Sequence, residues 1–133
     1  MIKAISKIQV RYSETDQMGF VYYGNYPQYL EVGRVDALKQ IGLSYKKLEE
    51  LGYGLPVKSL NINYKKAALY DDELVITTFI KEMPSNKIIF DYLIHRGEDL
   101  LIEAQTVLFF IDATKRACRP PKFFIDKLSS YFN

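Results

Sequence analysis

Cysteine and histidine each occur once in 133 residues, as Cys118 and His95. One cysteine excludes an internal disulfide scaffold and permits a reducing compartment. One histidine and no Cys/His cluster argue against a zinc site of the usual ligand types. Long apolar runs are missing too. No window approaches ~20 uninterrupted apolar residues, so no membrane-spanning segment is expected. Met1–Val10 alternates apolar and polar residues and lacks the apolar stretch of a signal peptide, so a cytoplasmic location is expected. Charge of one sign is scarce: the net charge is only +2. That is too mild for a nucleic-acid binder, although a local phosphate site is compatible with it. There is no glycine-rich phosphate loop, internal repeat or low-complexity tract. Hydrophobic residues at 48% and charged residues at 26% fit a globular chain, and its length fits a single domain over 1–133.

Apolar and polar residues alternate over 3–11, which predicts a strand. A long loop follows from Tyr12 to Gly24, polar at first and then aromatic at Phe20, Tyr22 and Tyr23. Long ordered loops often carry function. Tyr26, Tyr29, Leu30, Gly33, Ala37, Leu38 and Ile41 then recur at spacings of three and four, which predicts a long helix. Asn25 with Gln28 three residues on is the pattern of a capping box. Pro27 is tolerated in the first turn, and Gly42 suits a left-handed C-cap. Gly33 costs about 1 kcal/mol against Ala in a helix interior. Its presence predicts that the helix backbone packs closely against something there. A short helix is expected at 44–51, ended by Gly52.

From residue 55 the period changes to two. Strands are predicted at Leu55–Tyr64, Glu73–Glu82, Lys87–Arg96 and Leu100–Ala113, the last the most apolar and so expected at the centre of the sheet. Asp71-Asp72, Pro84-Ser85-Asn86 and Gly97-Glu98-Asp99 are turn signals between them. Connections this short favour antiparallel hairpins. Lys122–Tyr131 is expected to form a terminal helix. One long helix can cover only one face of a five-stranded sheet. The other face and one free edge strand are left for solvent or for a second copy across a two-fold axis.

Residues 10–36 read VRYSETDQMGFVYYGNYPQYLEVGRVD. They resemble the N-terminal signature of the 4-hydroxybenzoyl-CoA thioesterase family: a strand ending near Arg-Tyr, Thr-Asp-x-x-Gly, an aromatic or aliphatic pair, a small residue with Asn-Tyr, then a helix with Glu and Arg. NYKKAALYDDELVI at 63–76 and LLIEAQTVLFFIDATKRACRPP at 100–121 extend the resemblance to about residues 5–122. It implies an α+β hotdog fold, a five-stranded antiparallel sheet wrapped around a long central helix. It implies hydrolysis of an acyl-CoA thioester without a cofactor. It also implies a homodimer as the minimal unit, often a tetramer of two dimers. Asp16 matches the family's catalytic carboxylate. Tyr23 falls where a backbone N–H at the helix start polarises the thioester carbonyl. Asn25 and Tyr26 match the small-Asn-Tyr element. Tyr23 stands where many short-chain acyl-CoA members have His, so a mechanism needing that imidazole is excluded. Ala67-Ala68 replaces a common Pro-Ala, which alters the local turn.

The chemistry is reasonable on physical grounds. A thioester needs a base or nucleophile on one side and donors for the developing oxyanion. A carboxylate in a glycine-containing loop supplies the first, and the free N–H groups of a helix start supply the second. Asp16 can attack directly or activate water. Glu14 is expected to be solvated or at a strand end. Glu31 either faces the acyl pocket or pairs with Arg34 at helical spacing. Tyr22, Tyr26 and Tyr29 are expected in the core or an interface. His95 is expected at the surface and Cys118 to be structural. For the CoA phosphates the candidates are Lys65, Arg116 and Arg119, the last two within a basic run that includes Lys115 and Lys122. Two other readings stand beside the acyl-CoA thioesterase: an acyl-carrier-protein thioesterase and a non-catalytic acyl-CoA binding module. A hotdog dehydratase is disfavoured, because such sites pair a carboxylate with His and His95 lies far along the chain.

Overall fold

A computed structural model describes residues 1–132. Five strands form one antiparallel sheet: β1 (Ile2–Gln9), β2 (Val57–Tyr64), β3 (Glu73–Ile80), β4 (Lys87–Arg96) and β5 (Asp99–Phe109). Their spatial order is β1-β3-β4-β5-β2. Strands β1 and β2 are therefore the two edges. The chain between them must cross the whole sheet, and the segment that does so contains the long helix α1 (Tyr26–Gln40) and the short helix α2 (Tyr45–Glu50). A third helix, α3 (Lys122–Ser129), follows the sheet.

The period-two patterns set the two faces. In β1, Ile2, Ala4 and Ser6 are buried while the residues between them are exposed. In β4, Ile88, Phe90, Tyr92 and Ile94 all point inward. They share a face with Ile76 and Thr78 of β3 and with Ile102, Ala104, Thr106 and Leu108 of β5. Helix α1 lies on this face and buries Tyr26, Tyr29, Leu30, Gly33, Ala37 and Leu38, the predicted stripe, together with Arg34. Each fully buried Leu or Ile contributes about 1.5–3 kcal/mol through apolar burial, so this layer dominates the fold's stability. The close approach predicted at Gly33 is present: a Cβ there would lie 2.6 Å from Thr78 Oγ1 and 2.9 Å from Ile76 Cγ2. Gly42, at φ +83°, ends the helix in the left-handed region. Gly97, at φ +57°, opens the two-residue turn between β4 and β5, where Arg96 pairs with Asp99.

Two expectations need correction. Strand β5 is not central; β4 is, and β5 lies between β4 and the edge strand β2. The regular ladder also ends at Phe109, and beyond it Ile111 keeps an isolated bridge to Gly54. Phe110 packs edge-on against Phe124 of α3, with ring centroids 5.0 Å apart. Asp112 Oδ1 then accepts the N–H groups of Thr114 and Arg116, which turns the chain. Hydrophobicity reported the burial of Phe110 correctly, but that ring packs against a helix, and Ala113 is exposed. Secondly, Asn25 does not cap α1 through its side chain. A 3-10 turn over Tyr23–Asn25 leads into the helix, so Asn25 already has helical backbone angles (φ −88°, ψ −16°). A side-chain cap needs extended angles at that position.

Candidate active site

The loop between β1 and α1 is a pair of short turns held to each other. Tyr12–Glu14 forms the first 3-10 turn and Tyr23–Asn25 the second. Between them an isolated bridge pairs Thr15 with Val21, and Asp16 N–H donates to the Phe20 carbonyl at 2.7 Å. Asp16 thus sits at the mouth of a tight reversal. Gly19, at φ +80°, permits that reversal.

The Asp16 carboxylate is held on one side only. Its Oδ1 accepts the N–H groups of Met18 at 2.8 Å and Phe20 at 3.2 Å. Among the described residues Oδ2 has no hydrogen-bond partner, and Asp16 is half-buried. One oxygen orients the group and the other is free to react. A cavity of about 310 Å³ opens beside it, lined by Asp16, Phe20, Val21, Tyr22, Tyr23, Tyr26, Tyr64, Lys65, Lys66 and Ala67. Its walls are mainly aromatic, with two lysines at one rim.

Tyr23 is 65% exposed and opens the turn that feeds α1. Its N–H donates to no backbone carbonyl among the described residues. Its carbonyl accepts the Tyr64 hydroxyl of β2 at 3.2 Å, which ties this peptide to the edge strand. Tyr26 is buried, and its ring meets that of Tyr64 edge-on at 5.4 Å. Its hydroxyl accepts the Ala68 N–H at 3.1 Å. Burial pushes the Tyr26 hydroxyl above its ordinary pKa, so the phenol stays neutral at this wall.

Asp16, Tyr23, Tyr26 and Lys65 therefore line one cavity. Asn25 stands behind it, its side-chain amide donating to the Glu14 carbonyl at 2.8 Å. Lys65 and Lys66 pair with Glu103 at 3.8 Å and Asp99 at 3.1 Å, exposed contacts worth little in water. Glu31 is elsewhere: it pairs with Arg34 at 3.6 Å and lines a separate groove with Pro27, Val57 and Leu60. Arg116 and Arg119 are exposed beyond the C-terminal end of β5. Lys65 N–H bonds Leu101 at its other end. Eight strand steps separate Leu101 from Phe109, roughly 27 Å. A second cavity, about 610 Å³, lies near Arg116 and is lined by Lys58, Ser85, Asn86, Lys87, Phe109 and Ala117.

The sequence reading missed Glu14 and Tyr64. Glu14 is 8% exposed rather than solvated. Burial works to raise its carboxyl, but hydrogen bonds from the Arg11 N–H, the Tyr29 hydroxyl and the Arg11 guanidinium outweigh it. The group lies below the usual carboxylate range. The signal was Arg11 three residues before it, a spacing that brings the two together once a helical turn forms. Cys118 is half-buried and its thiol is raised, mainly by burial, as suits a structural cysteine. Among the described residues no group of three or more His, Cys, Asp or Glu is placed to hold a metal ion, and no helix is long and apolar enough to cross a membrane.

An antiparallel sheet around a long helix, with a carboxylate loop against the helix start, is the hotdog arrangement. Residues 10–128 match the model of the Thioesterase-like superfamily, and the chain belongs to that family. YneP of Bacillus subtilis (strain 168), provisionally named an acyl-CoA thioesterase, is 37% identical over 118 residues, covering 88% of this chain and 84% of the relative. A DHNA-CoA thioesterase from Staphylococcus aureus superposes with a TM-score of 0.91 at 34% identity, covering 98% of this chain and 89% of its own. The 4-hydroxybenzoyl-CoA thioesterase of Pseudomonas sp. strain CBS-3 superposes at 0.82 with 25% identity, covering 96% and 99%.

Proposed function

We propose that this chain hydrolyses an acyl-CoA thioester to the free acid and CoA. The observation that carries the reading is the shared cavity: a carboxylate with one free oxygen lines it together with the 3-10 turn that leads into α1, whose Tyr23 N–H donates to no backbone carbonyl among the described residues. A thioester carbonyl seated between them meets a nucleophile or base and an oxyanion donor together. Asp16 Oδ2 can attack the carbonyl carbon, forming a mixed anhydride as the C–S bond breaks and CoA thiolate leaves to take up a proton. Water then hydrolyses the anhydride and restores Asp16. Alternatively Asp16 takes a proton from water as that water attacks. The helix dipole and the free N–H stabilise the negative oxygen in either route. Tyr23, Tyr26 and Tyr64 offer flat apolar walls to an acyl group. The DHNA-CoA thioesterase among the relatives makes an aromatic acyl group a first choice for assay.

The CoA end points to a homodimer. Strand β2 is an unpaired edge, with Val57, Leu60 and Tyr64 exposed by nearly half. Such an edge favours pairing with another strand. Antiparallel pairing with its own two-fold copy would set the Val57 end of one protomer against the Tyr64 end of the other. Lys58, Lys87, Arg116 and Arg119 of one protomer would then approach the Asp16 cavity of its partner, where a CoA chain could reach them. A tetramer of two such dimers would use the remaining sheet face.

Free-thiol release from short, medium, long and aromatic acyl-CoAs tests the reading. Turnover by the wild type, lost in Asp16→Asn, is the expected result. Normal turnover by pure Asp16→Asn overturns the assignment of this carboxylate. Acyl-CoA binding without turnover on any substrate, including matched acyl-carrier-protein thioesters, overturns the enzymatic reading.

A further inference from the structure

We infer that Glu14 is a positioning residue for this reaction: its carboxylate and carbonyl together align the Asp16 loop with the Tyr23 turn. The inference rests on the thioesterase reading above and adds a residue that reading does not use. Three segments meet at Glu14. Its Oε1 accepts the Arg11 N–H at 2.8 Å and the Tyr29 hydroxyl at 3.0 Å. Its Oε2 accepts the Arg11 Nε at 3.2 Å and Nη2 at 3.1 Å. Its carbonyl accepts the Tyr22 N–H at 3.0 Å and the Asn25 side-chain amide at 2.8 Å. Arg11 lies two residues past the end of β1, Tyr29 in the first turns of α1, and Tyr22 and Asn25 bracket the peptide that presents the Tyr23 N–H.

The consequence is geometric. Asp16 follows Glu14 by two residues and is linked to it through Thr15, which bridges Val21. The reacting carboxylate and the oxyanion donor therefore hang from one fixed point, on either side of it. No other described residue is hydrogen-bonded to both the strand end before Asp16 and the turn that carries the Tyr23 amide. Arg11 is an exposed partner, with its side chain 74% accessible against 11% for Glu14. The burial thus falls on the acid, as expected of a group that organises the loop from inside. Displacing a reacting group by about 1 Å can cost on the order of a hundredfold in rate, so a loosened clamp should show in turnover before it shows in binding.

The test uses the full chain, its best acyl-CoA substrate, and the variants Glu14→Gln, Tyr29→Phe, Asp16→Asn and Glu14→Gln with Asp16→Asn. The glutamine keeps the shape but turns an N–H₂ donor toward the Arg11 guanidinium or the Tyr29 hydroxyl. Glu14→Gln is expected to lower kcat by about tenfold to a hundredfold, with KM changed by less than about threefold. Tyr29→Phe, which leaves Glu14 charged and bonded to Arg11, is expected to lose several-fold in kcat in the same pattern. In the Asp16→Asn background, Glu14→Gln should cost clearly less than it does in the wild type, because the Asp16 share of its effect is already gone and only the Tyr23 turn is left to misalign. Thermal melting of each variant establishes that folded protein is compared, and if Glu14→Gln does not fold, Tyr29→Phe decides. Wild-type kcat in both single variants overturns the role, as do losses confined to KM or losses that multiply independently of Asp16→Asn. An active wild type, an inactive Asp16→Asn and a fully active Glu14→Gln reject the positioning role alone. An inactive wild type rejects the thioesterase reading and this role with it.

Discussion

The two ends of helix α1 are held by different forces. Its C-terminal end, from Leu30 to Leu38 onward, is pressed onto β1, β3 and β4 by apolar side chains, so closely that Gly33 leaves no room for a methyl group. Its start is suspended by polar contacts: Glu14 to Tyr29, Asn25 to Glu14, Tyr26 to Ala68 and Tyr64 to Tyr23. Packing is strong and indifferent to direction. Hydrogen bonds are individually worth about 1 kcal/mol but fix orientation. Placing the Asp16 loop, the proposed reactive loop, on the hydrogen-bonded end allows its donors and acceptors to be aimed while the packed end carries the stability.

Substitutions at the two ends should therefore separate activity from stability. The largest expected effect is at the polar end. Asp16→Asn keeps an acceptor for the Met18 and Phe20 N–H groups, so thermal melting should shift little, while turnover falls by roughly a hundredfold or more. A comparable fall in melting temperature would place Asp16 in the scaffold instead. Next comes the packed end. Gly33→Ala gains about 1 kcal/mol of helix propensity but forces a methyl against two β-branched residues, Ile76 and Thr78, at a cost of about 1–3 kcal/mol. The net expectation is a loss of up to about 2 kcal/mol in urea unfolding, with kcat preserved in the folded fraction.

A smaller effect is expected at Tyr64→Phe. It removes only the hydroxyl that holds the Tyr23 carbonyl, about 0.5–1.5 kcal/mol, and should lower kcat several-fold with little change in melting. Unaltered kinetics would show that the edge strand does not restrain the oxyanion turn.

pH sharpens the same contrast. Burial pushes the Tyr92 hydroxyl, in the packed layer, up to about 12, against a hydrogen bond to Thr106 and the charge of Arg34. A phenol raised on folding favours the folded state fully below its unfolded value of about 10, and the contribution is lost as pH rises through the folded value. Stability should thus fall in melts above about pH 10. Glu14 behaves in the opposite sense. Its pKa is lowered on folding, so its contribution is present above the unfolded carboxylate value and is lost as pH falls through the folded one. Acid melts of wild type against Glu14→Gln should converge at low pH. A constant difference down to acid would mean that the Glu14 charge is not what the loop uses.

Much of this was legible in one dimension. The stripe from Tyr26 to Leu38, the Gly33 contact, the Gly42 stop and the Lys87–Arg96 strand follow from periodicity and from what glycine lacks, because these patterns record burial directly. Asp16 and Tyr23 were singled out through a motif rather than through physics, since nothing in a single Asp distinguishes a turn former from a reactive acid. Sequence could not show that Glu14 is buried, because its partner Tyr29 is fifteen residues away and meets it only after the loop closes over α1. Nor could it place the end of the strand expected at Leu100–Ala113, which stops at Phe109, because hydrophobicity measures exclusion from water and not whether a strand or a helix does the excluding. The sequence by itself determined which residues leave water and with what period. Only the tertiary structure decided which polar atoms meet, because hydrogen bonds depend on distances and angles set by segments far apart in the chain.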